Sequence, residues 1–219
     1  MPRDNFLQRK QDVLLKIDKS SKCDWDKKIV SLCKKINSSE NYYTTSSCSG
    51  RVAIMIDQEK KGKGLFLKRY HDLISFTQLK KDLGNITKLH SEAHGIDKKK
   101  LIKKTNGLIS FKRIRVSDER GNLIKFKQEP CILHVACKSF DDAEKIYEKA
   151  KQGGWKRSGI IASGKRFVVE MNGTEKLEFP VIEKGKILVS DDFLKIIVEK
   201  SNENLKKSWE KIDKLRKLV

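Results

Sequence analysis

The chain has 219 residues, with 49 Lys and Arg against 29 Asp and Glu, a net charge of +20. That length buries a real core. The charged start MPRDNFLQRK and the lack of any apolar run near the roughly 20 residues that span a bilayer argue against a signal peptide and a membrane segment, so a soluble, cytoplasmic protein is expected.

In chain order, FLQRKQDVLLKID places Phe6, Val13, Leu14 and Ile17 along one helical stripe. DWDKKIVSLCKKIN spaces Trp25, Ile29, Leu32, Cys33 and Ile36 by threes and fours, a second helix with Asp24 as its cap. YYTTSSCSGR, Tyr42 to Arg51, is rich in hydroxyls and reads as a turn or loop. RVAIMI and LFLKRY then read as a hairpin around DQEKKGKG. SFTQLKKDLG predicts a short helix stopped by Gly84 and KKKLIKKTNG another ending at Gly107, followed by a strand over LISFKRIRV and the turn DERGN. LIKFKQEPCILHVAC predicts one long strand that Pro130 interrupts or bulges. SFDDAEKIYEKAKQGG is helical, with Phe140, Ala143, Ile146, Tyr147 and Ala150 on one face. SGIIAS, KRFVVEM, KLEFPVI and GKILVS read as strands, and a long helix starts near Asp191. Strands and helices cluster without regular β-α-β alternation, which predicts an α+β fold in a single compact domain, 1–219. SGRVAIM at Ser49 to Met55 and SGKRFVVEM at Ser163 to Met171 echo one another, a sign of internal duplication.

Much of the charge is local: residues 60 to 127 hold 19 Lys or Arg and 6 Asp or Glu. A concentrated basic face is the footprint of a phosphate-rich partner. No basic amphipathic helix with exposed aromatics points to a membrane, so a nucleic acid is the expected partner, ahead of a solvated basic surface with no partner and of an acidic membrane. Five cysteines, Cys23, Cys33, Cys48, Cys131 and Cys137, lack C-x-x-C spacing and read as reduced thiols with no disulfide partner. His90 and His94 of HSEAH share a helix face, yet the order is not H-E-x-x-H and no third ligand is evident, so no metal is expected. Phosphate-loop, dinucleotide-fingerprint and nucleophile-elbow motifs are missing.

TTSSCSGR, IDKSSKCDWDKKIVSLCKKIN, FKQEPCILHV, GGWKRSGI and RFVVEMNGTEKLEFP occur in the same order as blocks of the tRNA wybutosine-synthesizing protein 3 family. The chain resembles that family over roughly residues 5 to 183. The likeness implies methyl transfer from S-adenosylmethionine to N4 of a demethylwyosine-type base in tRNA-Phe. It also implies an α+β fold with two duplicated β/α repeats around a curved, barrel-like sheet, flanked by amino- and carboxy-terminal helices. The alternative is a noncatalytic, basic tRNA-binding module.

On this reading Ser46, Ser47, Ser49, Gly50 and Arg51 line a cofactor or base pocket. Hydroxyls meet polar edges, Gly50 allows close approach, and Arg51 meets a carboxylate or phosphate. A capped turn with a surface arginine is the competing account. Ser158, Gly159, Arg166, Glu170 and Thr174, from family blocks of the second half, face the first set across the same cleft, or lie on a plain strand surface. His71, Glu129 and His134 are the candidates for a base that takes the ring proton. His134 shares a strand face with Ile132 and Ala136 and equally suits a hydrogen-bonded core position, while a bulge at Pro130 would aim Glu129 inward. Tyr42, Tyr43 and Trp155 either stack on an unpaired base or pack in the core. Nothing in the sequence sets the oligomeric state.

Overall fold

The computed structural model describes residues 5–15, 26–57, 66–95, 123–163 and 166–219, with the side chains of residues 89–95 and 163 outside that description. Its elements are α1 (Asn5–Leu14), α2 (Val30–Ser38), β1 (Tyr42–Cys48), β2 (Arg51–Ile56), β3 (Phe66–Tyr70), α3 (Phe76–Gly95), β4 (Ile124–Glu129), β5 (Ile132–Cys137), α4 (Phe140–Gln152), β6 (Gly159–Ser163), β7 (Arg166–Asn172), β8 (Leu177–Glu183), β9 (Lys186–Ile187) and α5 (Asp191–Leu218). The α+β class is borne out, with one sheet ordered β1-β5-β7-β6 and the other β3-β2-β4-β8-β9. The chain divides into two compact units. The first holds residues 1–51, 130–175 and 204–219, and the second 52–129 and 176–203. No described helix is long and apolar enough to cross a membrane.

In the first unit, β5 pairs antiparallel with β1 and β7, and β6 with β7. One face of this sheet is the core. Leu133, Val135, Val169 and Met171 point into it, and they pack against Leu32, Cys33 and Ile36 of α2, Ala143, Ile146 and Ala150 of α4, and Ile212 and Leu215 of α5. Helix α4 begins where Ser139 Oγ accepts from Asp142 N at 3.1 Å and donates to its carboxylate at 2.6 Å, closing the first turn on itself. Of the stripe predicted for α2, Ile29, Leu32, Cys33 and Ile36 are buried as expected, but the first helical residue follows Ile29, which makes no side-chain cap, and Asp24 and Trp25 lie outside the described residues.

In the second unit, β2–β3, β4–β8 and β8–β9 pair antiparallel. Phe126 stacks on Phe179 at 5.2 Å, and Leu79, Leu83, Ile86, Val181, Ile182 and Leu194 are buried. Lys184 and Gly185 both have positive φ (48° and 74°), which suits the two-residue turn joining β8 to β9.

Four sequence expectations need correction. YYTTSSC is strand β1 rather than a loop, leaving only Ser49 and Gly50 to turn. Aromatic and β-branched residues at 42–45 carry the strand preference that the hydroxyl count hides. Gly84 does not end its helix: α3 runs to Gly95 because Leu79, Leu83 and Ile86 continue one buried face, offsetting the roughly 1 kcal/mol of an interior glycine. The long strand around Pro130 is two strands, β4 and β5, in different sheets. GKILVS contributes only the two residues of β9. The helix expected at KKKLIKKTNG and the strand LISFKRIRV lie outside the described residues.

Candidate active site

Side chains alternate across a strand, so the face of the first unit's sheet turned away from its core collects every second residue. Cross-strand register then sets Ser46 beside His134, His134 beside Glu170, and Glu170 beside Gly159. Four strands thus contribute one transverse row. His134 Nε2 lies 3.0 Å from Glu170 Oε2, with the two side chains 29% and 39% exposed. Glu170 Oε1 accepts from Asn172 Nδ2 at 2.9 Å. The carboxylate is therefore held by two donors on two strands. A Cβ added at Gly159 would meet nothing within 4 Å, so that end of the row is open.

The remaining hydroxyls of the first half go elsewhere. Ser47 pairs with buried Leu133 and so turns to the core side of the sheet, near Cys33, whose thiol pKa is pushed up to about 11 chiefly by burial. Ser49 is fully buried. Its N–H and Oγ both donate to Asp26 Oδ2, at 3.1 and 2.6 Å, and Gly50 follows with φ of 99°. These two residues fix the turn that leads into Arg51 at the head of β2, and only glycine takes that φ without strain.

Of the second-half residues, Ser158 Oγ donates to Trp155 O at 2.6 Å and so closes its own turn. Thr174 is bound to Glu175 through N and Oγ1 at 3.1 and 3.2 Å. Arg166 shares the open face but sits at the β6–β7 hairpin, four residues from Glu170. The sequence set is therefore brought together only in part: Ser46, His134, Glu170 and Gly159 form the row, while Ser47, Ser49, Ser158 and Thr174 serve the fold around it.

Glu129 and His71 belong to the second unit. Glu129 accepts from Lys127 Nζ at 2.8 Å on the partly exposed face of β4, so the inward carboxylate expected at Pro130 is not formed. His71 follows β3 in a bend and is half-buried. Trp155 is a core residue at 0% exposure, Tyr43 is buried at 4% on the opposite face of the sheet under Phe6 of α1, and Tyr42 donates its hydroxyl to Asp142 O. None of the three offers a stacking face of the kind expected. Sequence reasoning missed Asn172, whose signal was its place two residues after Glu170 on one strand face.

A hydrogen-bonded imidazole–carboxylate pair on a polar sheet face has the chemistry to move a proton or to hold a polar group. The family profile described as Methyltransferase TYW3 matches residues 8–219, and the chain belongs to that family. It is therefore a methyltransferase, which bears out the resemblance read from the sequence and leaves the noncatalytic module unfavoured. Among its relatives, the tRNA(Phe) 7-((3-amino-3-carboxypropyl)-4-demethylwyosine(37)-N(4))-methyltransferase of Methanocaldococcus jannaschii is 30% identical, with 97% of this chain and 99% of that protein covered. The protein of the same name from Archaeoglobus fulgidus is 32% identical over 99% of this chain and 92% of its own length. Among solved structures, PH1069 protein from Pyrococcus horikoshii superposes with a TM-score of 0.74 at 30% identity, covering 98% of this chain and 93% of that one.

Proposed function

We propose that this chain transfers a methyl group from S-adenosylmethionine to N4 of a 4-demethylwyosine-type base at position 37 of tRNA-Phe, in the cytoplasm, on the open face of the first unit's sheet. The names of its relatives support the substrate. The His134–Glu170 pair, set in one row with Ser46 and Gly159, is the observation that carries the site.

The residues present suit the donor. A carboxylate accepts ribose hydroxyls or an ammonium, a hydroxyl at Ser46 meets a polar edge, and the space at Gly159 admits close approach to the backbone. When bound, S-adenosylmethionine supplies a methyl already activated on a sulfonium, so the protein's share is alignment and removal of a proton. With Nε2–H of His134 donating to Glu170, the Nδ1 lone pair is left to accept the proton that leaves N4. Glu170 holds the ring in that tautomer and stabilises the imidazolium that forms. Asn172 keeps the carboxylate turned toward the ring. The Ser49–Gly50 turn, locked by Asp26, presents Arg51 to an anionic group of donor or RNA.

The test is transfer of labelled methyl from S-adenosylmethionine to tRNA-Phe carrying a demethylwyosine base, with fully methylated tRNA as control. Incorporation at that base alone is expected. A folded protein that binds both partners and transfers nothing would overturn the reading.

A further inference from the structure

The polar row of the open face has a neighbour of opposite character. One pleat along, about 7 Å away, Ala136, Val168 and Ile161 form a second row across β5, β7 and β6. Ile161 stands on edge strand β6 and is 53% exposed. At the far side of the sheet α1 covers the face, with Phe6 against Tyr43 at 5.1 Å. The uncovered apolar surface is therefore at the β6 edge, between Gly159 and the hairpin.

Cations bracket that edge. Arg157, whose N–H donates to Asn172 O at 3.2 Å, precedes β6, and Arg166 opens β7 at the other end. Both are exposed, and neither pairs with a carboxylate among the described residues. The level of Asn172 and that of Arg166 are six residues apart on β7, roughly 20 Å. Exposed Ile161 beside half-buried Val168, with an arginine at each end that no described carboxylate pairs, matches a short run of single-stranded RNA, bases against the apolar side chains and phosphates on the arginines.

We propose that the β6 edge, Arg157–Gly159–Ile161–Arg166, is the contact for the unpaired RNA strand around the target base. This rests on the reading above that RNA is the substrate. It moves Arg166 from the cofactor residues, where the sequence groups it, to the RNA. Ile161 supports a base, Gly159 keeps the lane beside Glu170 clear, and the two arginines take flanking phosphates.

The experiment measures anisotropy of a fluorescein-labelled anticodon stem-loop RNA of tRNA-Phe sequence over a salt series, with thermal shift by S-adenosylhomocysteine and methyl transfer recorded on the same proteins. The variants are Arg157→Ala/Arg166→Ala and Ile161→Asp. The double variant is expected to bind the RNA about tenfold more weakly and to flatten the log–log salt dependence by about 1 to 1.5. Ile161→Asp is expected to weaken binding by a similar factor with the salt slope kept. S-adenosylhomocysteine should stabilise both variants as it does the wild type. Should Ile161→Asp lose cooperative unfolding, Ile161→Thr, which keeps the β-branched shape, decides the point. RNA affinity within twofold of wild type in these variants overturns the proposal. So does loss of the S-adenosylhomocysteine shift with RNA binding intact, which would give the patch to the donor's adenine. Patch-dependent RNA binding by a wild type that methylates no tRNA would sink the methyl-transfer reading and leave this contact standing.

Discussion

Replacing Glu170 with glutamine keeps the side chain's size and asks what its charge and two acceptors do. In the native row, Glu170 accepts on Oε2 from His134 at 3.0 Å and on Oε1 from Asn172 at 2.9 Å. Glutamine offers one acceptor and one donor. If its oxygen stays on Asn172, its amide N–H faces His134 Nε2, which must then accept, so the ring proton moves to Nδ1 and the base is lost. If its oxygen turns to His134, two amide donors face each other and one hydrogen bond of about 1 kcal/mol goes unmade. That difference favours the wrong tautomer by roughly fivefold. The surviving fraction also lacks a carboxylate to stabilise the imidazolium, a charge-assisted bond in place of a neutral one, worth about another tenfold or more. Single-turnover methyl transfer should therefore fall on the order of 10²-fold, within the range of a general base. Asn172→Ala, which removes only the second donor, should cost a few-fold, and neither variant should move Tm by more than about 4 °C. Glu170→Gln transferring methyl within twofold of wild type would refute the role given to the pair.

Ser49→Ala removes a buried hydroxyl bonded to a carboxylate, so stability should drop by about 2 kcal/mol, read as roughly 4 to 8 °C in a calorimetric scan. An unchanged Tm would show that Asp26 does not lock the turn. Burial pushes the Cys33 thiol up to about 11, a thiolate fraction at pH 8 about 100-fold below that of an ordinary thiol, so alkylation followed by peptide mass spectrometry should label half-exposed Cys48 well before Cys33. Bonds from Lys125 and Lys176 hold the Glu178 carboxyl down to about 2. A lowered pKa contributes stability that is present above the ordinary value near 4.5 and lost as pH falls toward 2. Glu178→Gln should thus flatten the acid limb of stability between about pH 5 and 2, by less than about 1 kcal/mol because the pair is partly solvated, with urea midpoints at pH 3 and 7 as the check.

Local signals carried the helices and most strands. The apolar face of Phe140, Ala143, Ile146, Tyr147 and Ala150 announced α4, the glycine pair after it announced its end, and the apolar spacing after Asp191 announced α5. Where a breaker competed with periodicity, as at Gly84, the buried face won, and a single chain gives no measure of that contest beforehand. The site was legible as a set of residue types and not as an arrangement. His134 and Glu170 are 36 residues apart, and only the register of β5 against β7 turns two separate candidates into a pair. Glu129 looked equally good from its place before Pro130, but its charge is answered by Lys127 two residues earlier on the same strand face.

The hydroxyl stretch shows why alternation alone misassigns such residues. Tyr43 pairs with Ala136 and Thr44 with Val135, yet Ser46, not Thr45, pairs with His134. Thr45 is an extra residue, a bulge that resets the parity of the strand. Without it, counting inward from buried Thr44 would put Ser46 in the core and Ser47 on the open face. With it, Ser46 joins the row and Ser47 turns to the core side, near Cys33. Both ends of β1 are anchored, by Asn37 Oδ1 accepting from Thr44 N at 2.7 Å and by Asp26 accepting from Ser49, so the extra residue cannot slide out along the strand. Which serine joins the His134–Glu170 row is thus set by the hydrogen bonds of Asn37 and Asp26, in and just before α2, on either side of the bulge.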